Sequence, residues 1–282
     1  MDCKLGIYEK ALPSYLSWEE KLFAVKSLGY DFLEISIDET EEKVDRLTWP
    51  QSQKIEMLRA MNKTGVRILT MCLSANRKFT IGSEDPQKRQ KGIELIKDAI
   101  RFSVEMGIRV IQLASYDEFY GERNENTAHL FFEGLRDVTR FAALNAVTLA
   151  FETMDTDFVN SVQKAMKYVG IVNSPWLQVY PDIGNLTAAG MSKDDIMKDI
   201  LSGSGHIAAV HLKDAKRGEI RRVPYGEGIV DFESFFRLLY ETGYAGLFVA
   251  EMWTDDNPDY YSTLENARRF LKEMMAKAMS GS

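Results

Sequence analysis

Cysteine is scarce in this sequence, with only Cys3 and Cys72 among 282 residues. Two cysteines so far apart exclude a disulfide scaffold and the closely spaced pairs of a zinc ribbon. No apolar run is long enough to span a bilayer, and the first residues lack the hydrophobic region of a secretory signal. We therefore expect a cytoplasmic protein with no membrane partner, whose two thiols stay reduced.

The sequence also lacks an excess of basic residues, since its formal net charge is −7. Proteins that bind nucleic acid are more often basic, so we do not expect nucleic acid as a partner, whereas a local basic pocket for a small phosphate is compatible with this charge. Hydrophobic residues make up 45% of the chain, which is enough for a substantial core. The length suits a single domain over residues 1–282, and we expect its last few residues to form a flexible tail.

Short apolar runs alternate with longer amphipathic segments along the whole chain. Near-continuous apolar runs are typical of parallel strands that are covered on both faces. The predicted strands are Lys4–Glu9, Phe32–Ile37, Val66–Leu73, Arg109–Ser115, Val147–Thr153, Leu177–Asp182, Ile207–Asp214 and Gly246–Met252.

The segments between these strands carry the signals of helix ends. Ser17, followed by Glu20 three residues later, predicts a capping box, and Asp231 predicts another helix start. Pro86 marks a third start, and Gly107 marks the end of the same helix.

Eight strand–helix units in a chain of this length predict an α/β fold, a (β/α)8 barrel of the TIM type. A doubly wound open sheet is the alternative architecture. No glycine-rich phosphate loop follows the first strand, because "GIYEKALPS" contains neither G-x-G-x-x-G nor a Walker pattern. The barrel is therefore the leading prediction.

Chemically distinctive residues lie where four successive strands should end. Glu152, Asp182, His211 and Glu251 each follow an apolar run. The carboxyl ends of barrel strands meet at one mouth, where the active sites of such barrels lie. The three carboxylates there would repel one another without a cation, and together with the imidazole they suit Mn²⁺, Mg²⁺, Co²⁺ or Zn²⁺. The sequence thus predicts a site for one divalent metal ion. Glu34, read as the end of strand two, could serve either the mouth or the fold.

Basic residues follow strands three and seven. "KDAKRGEIRR" begins with Lys213 and includes Arg217, while "SANRKF" supplies Asn76 and Arg77. Barrels often bind phosphate at the loops after strands seven and eight, although basic stretches are usually solvated. We expect at least one of these cations to contact an anionic substrate.

Long stretches of the sequence resemble the L-ribulose-5-phosphate 3-epimerases, which belong to the xylose isomerase-like barrels. The stretches include "LGIYEKALP", "MCLSANRKFTIGSED", "PWLQVYPDIGNL", "GHIAAVHLKD" and "VPYGEGIVDF", and the similarity covers nearly the whole chain. The resemblance implies an isomerase that interconverts L-xylulose 5-phosphate and L-ribulose 5-phosphate by inverting C3. It also implies a homodimer, by analogy with the family.

The same resemblance implies that Glu152, Asp182, His211 and Glu251 hold one divalent metal ion and that Glu152 and Glu251 are the acid–base pair. A metal bound to the C2 carbonyl oxygen and the C3 hydroxyl oxygen would stabilise an enediolate. One glutamate would remove the C3 proton from one face, and the other would return a proton to the opposite face.

Some positions differ from those of related enzymes. The free-ketohexose 3-epimerases have a glutamate where this chain has Phe158 and a histidine where it has Asn185. Both differences disfavour a free hexulose. Arg217, six residues after His211, matches an arginine that contacts substrate in those enzymes, and Asn76 replaces the usual histidine of "SAHRRF". The expected substrate-binding residues are Arg217, Asn185, Lys213, Asn76 and Arg77.

Three other functions remain open on the sequence. An isomerase or 3-epimerase of another ketose or ketose phosphate would use the same barrel and metal site. An apurinic endonuclease of this superfamily would need several more histidine ligands, but the chain has three histidines in total and is acidic. A non-catalytic metal or sugar-phosphate binder would not require a carboxylate on each side of the reacting carbon.

Overall fold

A parallel β-barrel surrounded by helices forms the structure, a computed structural model that describes residues 3–280. The strands are β1 (Lys4–Tyr8), β2 (Phe32–Ile37), β3 (Arg67–Leu73), β4 (Val110–Ala114), β5 (Thr148–Glu152), β6 (Leu177–Tyr180), β7 (Ala209–Leu212) and β8 (Leu247–Ala250). They are ordered 6-5-4-3-2-1-8-7, and each pairs in parallel with its neighbour.

The barrel closes between β6 and β7 through two parallel bridges. These join Val179 to Ile207 and Asp182 to His211. The backbone nitrogen of His211 donates to the Pro181 carbonyl oxygen at 2.9 Å, which joins β6 and β7 at their carboxyl ends. The predicted TIM barrel is confirmed, and the open doubly wound sheet is wrong, because these bridges join β6 and β7, which stand at the two ends of the strand order.

The helices fill the connections between strands. They are α1 (Trp18–Ser27), α2 (Glu41–Asp45), α3 (Gln51–Thr64), α4 (Pro86–Met106), α5 (Glu125–Leu144), α6 (Val162–Val172), α7 (Ile183–Ala188), α8 (Lys193–Leu201), α9 (Phe232–Glu241) and α10 (Tyr260–Ser280). The end of the predicted flexible tail, residues 281–282, lies outside the described residues.

The predicted helix ends are confirmed. The Ser17 side chain accepts from the backbone of Glu20, whose own side chain bonds back to Ser17, so the capping box at α1 is complete. Asp231 caps α9, and Pro86 is the first residue of α4. Gly107 ends α4 with φ of 76°, in the left-handed region that glycine adopts without strain.

Two apolar layers hold the barrel together. The larger lies between strands and helices and includes Leu5, Leu33 and Ile111. The smaller contains Tyr8, Phe32, Tyr180 and Val249. A Cβ atom on Gly6 would lie 2.5 Å from the Phe32 ring, so glycine at that position makes room for this phenylalanine. Alternate residues of each strand therefore face the barrel interior. This alternation determines which polar side chains meet inside the barrel.

Candidate active site

The four predicted metal ligands converge at the carboxyl ends of the strands. One ligand atom from each of Glu152, Asp182, His211 and Glu251 lies within 4.8 Å of the others, and all four residues are buried. Glu152 is the last residue of β5, and His211 is the third residue of β7. Asp182 and Glu251 lie just beyond β6 and β8, so those two strands end slightly earlier than predicted.

Asp182 is aimed by the short helix that follows it. Its Oδ1 atom accepts a hydrogen bond from the backbone nitrogen of Asn185 at 3.0 Å and so caps the start of α7. The Asp182 nitrogen donates to Thr153 Oγ1 at 2.9 Å, which ties this residue to the end of β5. Its Oδ2 atom lies 2.6 Å from Nζ of Lys213, toward the other carboxylates. The turn after β6 therefore fixes the direction of this carboxylate.

His211 lies at the centre of the cluster with no exposed surface. Its Nδ1 atom is 3.1 Å from Glu152 Oε1 and 3.7 Å from Glu251 Oε2, and its Nε2 atom is 2.6 Å from Glu34 Oε1. Burial alone would lower the pKa of His211, but the Glu34 and Glu251 carboxylates outweigh it and hold this pKa well above its usual value.

Lys213 supplies a buried positive charge beside the carboxylates. Its Nζ atom lies 2.6 Å from Asp182 Oδ2 and donates to Glu251 Oε2 at 2.7 Å. Burial would lower the pKa of Lys213, yet the two carboxylates raise it above its usual value, so this ammonium stays charged. Burial also opposes ionisation of Glu251, but Lys213 and His211 hold its pKa below the usual range.

These residues fit a divalent cation. Three carboxylates and an imidazole are a nitrogen and oxygen donor set of the kind that Mn²⁺, Mg²⁺, Co²⁺ and Zn²⁺ accept. The donors converge in a buried position, where uncompensated negative charge is costly. The four residues could therefore hold one metal ion.

A cavity of about 310 Å³ opens above the cluster. Glu152 and Glu251 line it, so both carboxylates face the space as well as the cluster. Its aromatic walls are Tyr8, Tyr116, Phe119 and Trp253, and its cations are Lys10, Arg77, Lys213 and Arg221. Carboxylates also line it, namely Asp38, Glu39 and Asp155 besides the two glutamates, so a small polar molecule suits such a cavity.

The other predicted site residues are distributed around this cavity. Asn185 lines it and donates from Nδ2 to the Thr153 carbonyl oxygen at 2.8 Å, and its buried Oδ1 atom has no hydrogen-bond partner among the described residues. Arg77 also lines it and lies over the Phe119 ring at 5.1 Å. Asn76 lies beneath, with its Nδ2 atom donating to the Ala114 carbonyl oxygen at 2.7 Å.

Arg217 lies apart from the other predicted contacts. Its exposed side chain lines a neighbouring cavity of about 220 Å³, on the side of α7 that carries Ile183 and Thr187. Arg221, four residues later, lines the main cavity instead, over the Trp253 ring at 5.6 Å. The predicted role of Arg217 thus stays a prediction.

Sequence reasoning misplaced one residue and missed another. Glu34 is not the end of β2, as read from the sequence, but its third residue, and it lies inside the barrel behind His211. Gln112, fully buried in β4, donates from Nε2 to Glu152 Oε2. A polar residue in the middle of the apolar run "RVIQLAS" was the available signal for this glutamine.

Within residues 3–280, no helix combines the length and the apolar composition that crossing a membrane requires.

A family model described as "Xylose isomerase-like TIM barrel" matches residues 22–274. L-ribulose-5-phosphate 3-epimerases UlaE from Escherichia coli and Shigella sonnei are each 47% identical to this chain over 274 residues, which is 97% of this chain and 95% of each relative.

Solved structures of sugar epimerases have the same fold. An L-ribulose 3-epimerase superposes with a TM-score of 0.81 at 18% identity, over 99% of this chain and 96% of that one. A D-allulose 3-epimerase from Methylomonas sp., in complex with D-allulose, gives a TM-score of 0.79 at 18% identity and covers 97% of each chain. At these identities the likeness concerns the fold alone.

Proposed function

This chain belongs to the L-ribulose-5-phosphate 3-epimerase family of xylose isomerase-like TIM barrels, and we propose that it interconverts L-xylulose 5-phosphate and L-ribulose 5-phosphate. The observation that carries the proposal is the pair Glu152 and Glu251. The two carboxylates lie at the ends of two different strands and line one cavity. Each also lies near Nδ1 of His211, at 3.1 Å for Glu152 and 3.7 Å for Glu251. Epimerisation at a carbon next to a ketone needs two such groups, one on each face of that carbon.

Glu152, Asp182, His211 and Glu251 would hold one divalent ion, which would act as a Lewis acid and stabilise negative charge that develops on the substrate. We propose Mn²⁺, Mg²⁺, Co²⁺ or Zn²⁺ for this role, because each accepts nitrogen and oxygen ligands. The protein's part is to keep the donors converged in a buried position.

The two glutamates transfer the protons. One glutamate, ionised, removes the C3 proton, while the other, which carries a proton, donates it to the opposite face. Their protonation states and roles exchange with the direction of reaction. General acid–base catalysis of this kind contributes about 10²–10⁴-fold to the rate. Lys213 favours the ionised form of Glu251 through the 2.7 Å contact, and Gln112 donates to the Oε2 atom of Glu152.

Substrate binding falls to the polar residues of the cavity wall. Lys213, Asn185 and Arg77 line the cavity, and we propose that they contact the sugar or its phosphate. Asn76 would act from beneath, by holding the strand-three loop to the end of β4. Arg217 is proposed only on the family resemblance, since its side chain lines the neighbouring cavity.

Aromatic side chains protect the reacting carbon from water. Tyr116 and Phe119 pack edge to face with ring centroids 4.6 Å apart, and Trp253 packs against Tyr8 across the cavity wall at 6.0 Å. Excluding water strengthens the electrostatic contacts inside a site and limits loss of a reactive intermediate. We further propose, on the family resemblance, a homodimer in the cytoplasm that acts on a small sugar phosphate.

A direct conversion assay tests this function. Purified protein is incubated with L-ribulose 5-phosphate and Mn²⁺ or Zn²⁺, and L-xylulose 5-phosphate is followed by NMR. We expect conversion that stops after EDTA treatment and returns with metal, and much weaker conversion of L-ribulose without phosphate. Conversion of another ketose phosphate, with none of either pentulose phosphate, would favour the alternative substrate on the same barrel.

A further inference from the structure

Glu34 is a carboxylate buried inside the barrel below the cavity. It is the third residue of β2 and has no exposed surface. Its Oε1 atom lies 2.6 Å from His211 Nε2, and its Oε2 atom accepts from Thr70 Oγ1 and from the Tyr180 hydroxyl, each at 2.7 Å. It does not line the cavity, so it is not placed to contact substrate.

Burying the Glu34 carboxylate costs desolvation free energy, so a role beyond stability would explain its presence. An apolar side chain of similar volume is often as stabilising as a buried ion pair, or more so. Thr70 on β3 and Tyr180 on β6 hold the far oxygen of Glu34 from two directions, which leaves the near oxygen aimed at His211. The arrangement orients one acceptor toward one nitrogen of the imidazole.

The orientation of the His211 ring decides which nitrogen can bind a cation. The 2.6 Å contact with Glu34 engages Nε2, so this nitrogen is not free to bind a cation. The opposite nitrogen, Nδ1, faces Glu152 and Glu251. The Tyr180 ring packs edge to face on the imidazole at 4.7 Å and opposes its rotation.

We propose that Glu34 is a positioning residue that fixes His211 with Nε2 protonated and Nδ1 presented to the metal ion. This inference rests on the proposed function, because it takes the four-residue cluster as a metal site. Partners of this kind fix the tautomer of metal-binding histidines and raise their basicity, and their loss typically costs ~10–100-fold in metal affinity.

NMR of the Zn²⁺-loaded wild-type protein tests the geometry without any substitution. The chain has three histidines, so ¹⁵N-histidine labelling with long-range ¹H–¹⁵N correlation gives a simple spectrum, and His129→Gln and His206→Gln assign it. We expect His211 to keep a proton on Nε2 and to bind Zn²⁺ through Nδ1. Binding through Nε2, or no Zn²⁺ binding by His211, overturns the proposal.

Metal affinity, measured by competition with a chelator, tests the role of Glu34. Glu34→Leu removes the acceptor, and we expect Zn²⁺ affinity to fall by ~10–100-fold. Glu34→Gln keeps an amide oxygen that can accept from Nε2. Its loss of Zn²⁺ affinity should therefore be smaller than that of Glu34→Leu, and Nδ1 should remain the ligand. Thr70→Val is the matched control, because it removes one bond to the far oxygen while the Tyr180 hydroxyl still donates to it, so the affinity should change much less than in Glu34→Leu.

The outcomes separate this inference from the proposed function. Unchanged affinity in a folded Glu34→Leu variant overturns the positioning role, whether or not the wild type epimerises pentulose phosphates. If that variant does not fold, the wild-type spectrum and the Glu34→Gln affinity decide. Coordination through Nδ1 in the wild type, together with a lower Zn²⁺ affinity of Glu34→Gln, supports the inference even if the conversion assay finds a different substrate.

Discussion

Lys213 donates from Nζ to Oε2 of Glu251 at 2.7 Å, and both side chains are buried. The same ammonium lies 2.6 Å from Asp182, so one lysine balances two carboxylates of the cluster. This ammonium therefore compensates part of the negative charge at the barrel mouth. The balance between Lys213 and the carboxylates leads to the first prediction.

Lys213→Met should destabilise the metal-free protein. Removing one partner of a buried ion pair leaves uncompensated charge, which typically costs about 3–5 kcal/mol in the free energy of unfolding. A saturating divalent cation should recover much of this loss, since it would compensate the same carboxylates. Urea unfolding with and without metal measures both effects.

Lys10→Met is the matched control for that substitution. Lys10 also lines the cavity, but its ion pair with Asp38 is partly exposed, so its loss should cost less than about 1 kcal/mol. Equal destabilisation by the two variants, or no response to metal in Lys213→Met, would contradict the assigned role of Lys213.

Glu9 forms a second buried charge cluster, away from the metal ligands. Its carboxylate contacts Lys21 at 3.1 Å, Lys43 at 2.8 Å and Arg46 at 2.8 Å. Burial would raise the pKa of Glu9, but these three cations outweigh it and hold the pKa far below its usual value. Glu9→Gln should therefore lower the free energy of unfolding by about 3–5 kcal/mol at pH 7.

The sign of the pH dependence follows from the lowered pKa of Glu9. A carboxylate with a depressed folded-state pKa stabilises the protein above its unfolded pKa of ~4.3, and this contribution is lost as pH falls toward the folded value. The difference between wild type and Glu9→Gln should be smaller at pH 3 than at pH 7. Glu19→Gln, at an exposed pair with Lys63, should show little change at either pH. A Glu9→Gln effect that does not shrink in acid would contradict this account.

Arg77→Ala should weaken binding of the phosphorylated substrate. Arg77 is half-buried, and it faces the cavity beside Phe119. A hydrogen bond to a charged group contributes about 1.5–3 kcal/mol, so KM should rise by roughly 10–100-fold while kcat changes less. Lys78→Ala is the control, because that side chain is exposed and does not line the cavity. Similar KM changes in both variants would point to general electrostatic attraction instead.

The loop after β7 depends on Gly228. A Cβ atom there would lie 2.0 Å from Asp214 Oδ1, and the Asp214 carboxylate accepts from the nitrogens of Gly226, Gly228 and Val230. Gly228→Ala should disturb these bonds, lower stability by about 2 kcal/mol and displace Arg221 from the cavity. A lower melting temperature together with a raised KM is the expected result.

Gly170→Ala is the control for that steric argument. Gly170 lies within α6, and among residues 3–280 no atom outside its chain neighbours and the adjacent helix backbone lies within 4 Å of where its Cβ would be. Alanine should be neutral or stabilise the helix by up to about 1 kcal/mol, because it has the higher helix propensity. Two glycine variants that behave alike would show that the Asp214 contact does not organise the loop.

The main-chain architecture and the four cluster residues could be predicted from the sequence. Apolar runs that end in Glu152, Asp182 and Glu251 place these carboxylates at one barrel end whatever the exact strand limits, because parallel strands share a direction. An error of one or two residues in a strand end, as at β6 and β8, leaves that conclusion unchanged.

The support beneath the cluster could not be predicted in the same way. Glu34 and Gln112 act through contacts across the barrel, with His211 on β7 and Glu152 on β5, and such contacts depend on strand register. The positions of Arg217 and Arg221 depend on a long loop that Asp214 organises through its backbone hydrogen bonds. Periodicity and strand ends carry no information about that loop.

Solvent-deuterium incorporation at C3 tests the two-glutamate mechanism most directly. Wild type, Glu152→Gln and Glu251→Gln are loaded with metal and incubated in D₂O with each pentulose 5-phosphate. We expect the wild type to form product that carries deuterium at C3. Each variant should lose conversion by ~10²–10⁴-fold while still binding the sugar phosphate. Full conversion by either glutamine variant, or wild-type inversion without deuterium at C3, would contradict proton transfer by Glu152 and Glu251.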